Sequence, residues 1–102
     1  MGVLVVGEAL VDLIAKPDGE VAAVPGGGPF NFARTLGRLG VDVSFAGGIS
    51  DDIFGQTISS MLAADGVKQA LTPRAGLLTT LALAALDEGG AATYRFYIEG
   101  TA

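Results

Sequence analysis

The apolar positions fall into short runs separated by glycine, proline and acidic residues, and their spacing changes along the chain. Val3-Leu4-Val5-Val6-Gly7 is a continuous apolar run of the kind that marks a strand buried on both faces. Residues 9–15 continue as extended chain, Pro17-Asp18-Gly19 signals a turn, and residues 21–24 return as the second arm of a hairpin. Pro25-Gly26-Gly27-Gly28-Pro29 is expected to be irregular. A helix is predicted from Pro29, a residue suited to the first helical turn, with Phe32, Ala33, Leu36 and Leu39 on one face and Gly40 as its stop. Residues 41–46 read as the next strand. Ser50, Asp51 and Asp52 form an N-cap cluster for a second helix, whose apolar face is Phe54, Ile58, Met61 and Leu62 and whose end is Gly66. Residues 77–86 and 93–98 then read as two strands joined by the turn Asp87-Glu88-Gly89-Gly90. Strand, helix, strand, helix and hairpin in that order predict an α/β sheet carrying a β appendage.

Composition narrows the function classes. The 102 residues suffice for one small domain. Half are hydrophobic and 17% are charged, so surfaces of this chain are expected to lie inside something larger. The isolated piece is therefore expected to aggregate or pack loosely. A formal charge of −5 leaves no basic patch for nucleic acid or an anionic membrane. The absence of cysteine removes disulfides and thiolate metal sites, and the absence of histidine removes the commonest general base and metal ligand. The first apolar run, interrupted by Glu8 and Asp12 with no basic residue before it, is neither a signal peptide nor a membrane span. A cytoplasmic protein is expected. The chain stops at Gly100-Thr101-Ala102 with a sheet edge uncovered, which reads as truncation.

Four features have chemical potential. Gly26-Gly27-Gly28 ahead of a helix lets backbone approach a ligand closely and aims N–H groups at an anion or hydroxyl oxygen; a tight turn is the structural alternative. It is neither a Walker A loop nor a dinucleotide-binding G-x-G-x-x-G. Asn31, inside the first helical turn, is a poor helix former but a bidentate partner for a hydroxyl, unless it serves as a local cap. Asp12 lies in an apolar extended segment, where a carboxylate needs a partner: two sugar hydroxyls, or Lys16 or Arg34 at an exposed edge. Tyr94 and Phe96 alternate with Arg95, so the two rings share a strand face, for packing or for closing over a sugar. Asp51 and Asp52, without histidine or a third carboxylate, read as caps rather than metal ligands.

In order, these pieces resemble the PfkB (ribokinase) family of carbohydrate kinases. Gly7-Glu8-Ala9-Leu10-Val11-Asp12 is similar to the family's first strand, and Gly26-Gly27-Gly28-Pro29-Phe30-Asn31-Phe32-Ala33 with Leu36-Gly37-Arg38-Leu39-Gly40 to its N-terminal signature. Gly47-Gly48-Ile49-Ser50-Asp51-Asp52-Ile53-Phe54-Gly55 resembles the strand-to-helix segment that follows, and Thr79 to Leu83, Asp87 and residues 94–102 resemble the lid strands. The resemblance implies a Rossmann-like α/β ribokinase fold, here a partial parallel sheet with flanking helices, plus a small β lid built from residues of about 9–24 and 77–98. It implies transfer of the ATP γ-phosphoryl group to a sugar hydroxyl with Mg²⁺. Asp12 and Asn31 would bond the sugar hydroxyls, Gly27 and Gly28 would let the backbone reach the sugar, and Phe96 would touch it from the lid.

Departures from the family pattern refine the expectation. Ser50 stands where the signature usually has glycine. Leu10 and Gly28 replace an asparagine and a lysine of ribokinases, so the chain looks fructokinase-like, and Ile98 takes the place of an arginine used by kinases of 2-keto-3-deoxygluconate, although Arg95 is nearby. The family's Gly-Ala-Gly-Asp motif, with its catalytic base, and its nucleotide segment are not in these residues. Residues 1–102 are thus expected to be the sugar-binding part, with no catalytic base, no metal ligand, no ATP or Mg²⁺ held alone, and no kinase activity alone. The competing readings are another kinase of the family (for 2-keto-3-deoxygluconate or a nucleoside), a non-catalytic sugar- or nucleoside-binding module, and a module that homodimerises through its lid strands.

Overall fold

A computed structural model describes residues 2–102. Three parallel strands form the first sheet, in the order β1 (Val3–Val6), β4 (Val43–Ala46), β5 (Lys68–Gln69). The connections run through α1 (Gly28–Arg38) and α2 (Ile53–Ala64). Both crossovers step in the same direction along the sheet, so their right-handedness puts both helices on one face. That face carries Val5, Val43 and Phe45, which pack with Phe30 and Ala33 of α1 and Ile58 and Leu62 of α2 into the core. Phe30 meets Phe45 edge to face, with ring centroids 6.4 Å apart.

The opposite face has no cover among the described residues. Leu4 is 58% exposed and Val6 71%. The apolar run in β1 therefore overstates its burial: both sides are apolar, yet helices cover one. A similar correction applies to α1, where the buried residues are Phe30 and Ala33, while Phe32 and Leu39 are 56% and 74% exposed. The buried stripe runs through Phe30 and Ala33, three residues apart, with Leu36 packed against the core, so Phe32 lies on the other side; the helix starts at Gly28, one residue before Pro29, which sits comfortably in the first turn without an N–H. Gly37 permits the close approach of α1 to the end of α2: a Cβ there would lie 2.3 Å from the Asp65 carbonyl oxygen. Beside this contact the Asp65 carboxylate accepts from Arg34 Nε at 2.5 Å and Arg38 Nε at 2.9 Å, and Arg34 also lies 5.5 Å from the Phe30 ring.

The second sheet holds four strands in the order β3 (Val21–Gly26), β2 (Leu10–Ala15), β6 (Leu81–Leu86), β7 (Ala92–Tyr97). The hairpins β2–β3 and β6–β7 are antiparallel, as their turn residues predict, and parallel pairing of β2 with β6 joins them. Pro25 and Gly26, expected to be irregular, instead continue β3 opposite Val11 and Leu10. A proline is accommodated there because β3 is the sheet's edge. The strand predicted at 77–86 begins only at Leu81, because residues 77–80 bond the loop before α2 and the segment at 100–102.

Candidate functional site

Register across the second sheet fixes which side chains share a face. Asp12 pairs with Val24 on one side and Ala82 on the other, and Ala82 pairs with Phe96. Residues directly opposite one another project to the same side, so Asp12 and Phe96 stand on one face two strand spacings apart, about 10 Å. Tyr94, two residues from Phe96, joins them on that face. Phe96 is 64% exposed and Tyr94 is similarly open, so neither ring is consumed by packing within this chain. Arg95 alternates to the other side, away from Asp12.

Both structural alternatives for Asp12 are occupied elsewhere. Lys16 pairs with Glu20 and Arg34 with Asp65, which leaves the carboxylate partly buried on an apolar face. Its nearest constraint is Gly26, where a Cβ would lie 2.7 Å from Asp12 Oδ2. The chain passes from Gly26 straight into the start of α1. Gly27 caps the helix with φ of 106°, a conformation that suits glycine, and a Cβ would meet the Glu8 carbonyl oxygen at 2.9 Å. A Cβ on Gly28 would meet nothing within 4 Å, so the backbone at the helix start faces open space.

The helix cap also settles the alternative for Asn31. No side chain caps α1, and Asn31 contributes only its backbone N–H to Gly27 O at 2.9 Å, while its side chain is exposed. The amides of Gly28 and Phe30 precede that first intrahelical bond and are the orphan donors of the helix start. One rim of the site is thus a carboxylate and aromatic rings on a sheet; the other is a glycine-lined helix terminus with an amide side chain. A carboxylate and an amide that each bind two hydroxyls, beside approachable backbone N–H groups, suit a polyol better than a planar or anionic ligand. Gly26 was legible as part of the glycine run, but its role as the surface under Asp12 depends on strand register.

A second polar cluster lies where the two sheets meet. Asp52 caps α2, its Oδ1 accepting from Gly55 N at 2.7 Å, as its sequence position predicts. It does more: Oδ2 accepts from Thr79 N at 2.7 Å and Oδ1 from Thr79 Oγ1 at 2.5 Å. Burial pushes the Asp52 carboxyl up, but the bonds from Thr79 and Gly55 outweigh it and hold the group below its ordinary value. Ser50 Oγ accepts from Asp52 N at 2.9 Å and donates to the Leu77 carbonyl. Asp51 is exposed and takes no comparable part. Among the described residues no group of three or more acidic, histidine or cysteine side chains could hold a metal ion, and no helix is long and apolar enough to cross a membrane.

A one-sided parallel sheet, joined through a glycine-lined helix start to a mixed sheet bearing a carboxylate, defines an α/β protein of the ribokinase fold. The chain belongs to the pfkB family of carbohydrate kinases, whose model matches residues 2–102. It is 40% identical over 107 residues to a fructokinase of Rhizobium leguminosarum bv. trifolii, covering 98% of this chain and 32% of that one. A fructokinase of Klebsiella pneumoniae is 34% identical over 99 residues, covering 96% and 32%. Among solved structures, fructokinase from Xylella fastidiosa superposes with a TM-score of 0.87 at 32% identity, covering 99% of this chain and 34% of that chain. The same enzyme with bound ATP gives 0.86 at 31% identity. The chain thus spans about a third of the length of these relatives.

Proposed function

We propose that the protein to which this chain belongs transfers the γ-phosphoryl group of ATP to a hydroxyl of a fructose-like neutral hexose, and that these residues supply the sugar cradle. The observation that carries the reading is the unclaimed Asp12 carboxylate resting on Gly26 beside the open backbone of Gly27 and Gly28. In this reading Asp12 accepts from sugar hydroxyls and Asn31 both accepts from and donates to them, holding the ring in one orientation. Gly27 and Gly28 let the helix-start backbone come within hydrogen-bond reach. Phe96 covers the sugar's apolar edge from the four-stranded sheet, which acts as the lid.

ATP and Mg²⁺ are proposed as donor and cofactor on the strength of the family and its ATP-bound relative. The described residues offer no metal-holding cluster and no phosphate-binding lysine motif, so no step through either group is assigned to them. Their contribution is to orient the acceptor hydroxyl and to exclude water from it. The placement of Arg95 on the face away from Asp12 favours a neutral sugar over an acidic one, since no cation from β7 reaches the cradle.

A cytoplasmic setting is proposed from the need for ATP. A second copy of the chain is proposed as partner through the lid, whose outer strand β7 leaves Tyr94, Phe96 and Tyr97 exposed at an unpaired edge, with Ile98 exposed just beyond it; light scattering of the full-length protein reads a dimer if this holds and a monomer if it does not. The sugar assignment is tested by calorimetric titration of the full-length protein with fructose, ribose and 2-keto-3-deoxygluconate. Fructose is expected to bind, and Asp12→Ala to weaken it at least about tenfold through loss of charge-assisted hydrogen bonds. Tighter binding of the acid would overturn the neutral-sugar reading.

A further inference from the structure

Ser50 and Thr79 are the buried polar residues of the described chain, at 1% and 6% exposure, and both serve the cluster around Asp52. A buried polar group is retained at a cost unless its bonds are complete, and these are complete. What they join is specific. Ser50 and Asp52 belong to the loop and cap that precede α2, on the parallel-sheet side, whereas Leu77 and Thr79 lead into β6 of the other sheet. The bonds continue into the cradle by a short path. Beside Thr79, the Thr80 carbonyl accepts from Val11 N at 3.0 Å, and Asp12 is the next residue. Two residues beyond Thr80, Ala82 pairs with both Asp12 and Phe96. The exit of β7 is tied to the same root, through Thr80 Oγ1 to Thr101 Oγ1 at 2.8 Å and Ala102 N to Leu78 O at 2.8 Å.

The structure assigns to Ser50, Asp52 and Thr79 the role of a latch that fixes the root of the four-stranded sheet against α2 and thereby positions Asp12 and Phe96 over the glycine-lined helix start. None of the three faces the sugar; they are positioning residues, and their proposed effect on binding rests on the cradle reading above. Thr79 is the element that distinguishes a latch from an ordinary helix cap. A cap needs only the bond from Gly55 to Asp52, and the two bonds from Thr79 add nothing to α2. Ser50 supplies the second attachment through Leu77.

The test uses full-length protein carrying Thr79→Val, which keeps the side-chain volume and removes the hydroxyl, Thr79→Ser, which restores it, and Ser50→Gly, which removes the second attachment. Amide hydrogen exchange at Val11 and across residues 81–86 reads the latch directly, and steady-state kinetics with fructose read its consequence. Thr79→Val and Ser50→Gly are expected to speed exchange at these amides about tenfold, through easier local opening. They are expected to raise KM for fructose about tenfold with a much smaller change in kcat, since they misplace a binding group and leave the chemistry intact. Thr79→Ser is expected to restore both. A merely structural role would lower melting temperature and active fraction while leaving KM unmoved. Unchanged exchange and KM in Thr79→Val, or a Thr79→Ser as defective as Thr79→Val, overturns the latch. If the wild-type protein neither binds nor phosphorylates fructose, the cradle reading falls, and the exchange contrast between the valine and serine variants still decides whether the latch exists.

Discussion

Gly26→Ala separates binding from stability more cleanly than any other substitution in the site. Gly26 is in β3 and is not among the glycines with positive φ, so alanine fits its backbone without strain. Such a replacement ordinarily stabilises by about 0.4–1 kcal/mol, by reducing the freedom of the unfolded chain. The added Cβ would stand 2.7 Å from Asp12 Oδ2, inside van der Waals contact, and the obstacle is the far end of a rotatable side chain. The carboxylate is therefore expected to swing aside at small cost. What is lost is its aim: a sugar hydroxyl that met Oδ2 loses a charge-assisted bond of about 1.5–3 kcal/mol, or roughly ten- to a hundredfold in affinity. The assay is paired calorimetric titration with fructose and thermal unfolding on full-length protein. The expected result is weakened binding with a melting temperature unchanged or slightly raised. Undiminished affinity would refute the placement of the sugar at Asp12, and a melting temperature lowered by many degrees would refute the argument that the carboxylate can move freely.

Three further outcomes follow from the packing and charge of the core. Phe45→Ala, which empties a fully buried position against Phe30, is expected to cost about 3–5 kcal/mol in urea unfolding; a cost under about 1 kcal/mol would mean the two rings do not anchor the helices. Gly37→Ala, whose Cβ would fall 2.3 Å from the Asp65 carbonyl and 2.9 Å from Val67 Cγ2, is expected to destabilise by about 1–3 kcal/mol through overpacking, despite the better helix propensity of alanine. Asp52 has its carboxyl depressed in the folded state, so the stability it contributes is fully present above the unfolded value of 3.8 and is lost as pH falls through the lower folded value. Asp52→Asn should lower stability at pH 6 and flatten the acid limb of a stability–pH curve measured by urea unfolding; an acid limb identical to wild type would contradict the bonding around Asp52.

Local chemistry made much of this fold readable. The turns at Asp18-Gly19 and Glu88-Gly90 are carried by residues that adopt turn geometry at little cost, and Gly19 and Gly90 do take positive φ. The cap at Asp52 announced itself for the same reason. Errors arose where burial depends on what lies opposite. Val3 to Val6 gave no sign that one side lacks helices, and Phe30 and Phe32, both near the stripe of Ala33 and Leu36, differ in burial only through what packs against them. Lys68 and Gln69 form a strand too short and too polar to show a period. The parallel pairing of β2 with β6 joins residues some seventy positions apart and has no local signature, yet it places Asp12 and Phe96 on one face. Thr79 as a partner for Asp52, 27 residues away, was equally hidden. In the site itself, Asp12, Gly27, Gly28 and Asn31 could be singled out by residue type, whereas the exclusion of Lys16 and Arg34 as partners for Asp12 needed three dimensions.

The role proposed for this chain is that of a fructose cradle within an ATP-dependent kinase. Its most direct test is an ATP-coupled phosphorylation assay of the full-length protein with fructose, run beside Asp12→Asn. Wild type is expected to turn over fructose and the variant to lose at least about tenfold in kcat/KM, as a charged acceptor becomes a neutral one. Turnover unaffected by Asp12→Asn, or no phosphorylation of fructose by a folded full-length protein, would contradict it.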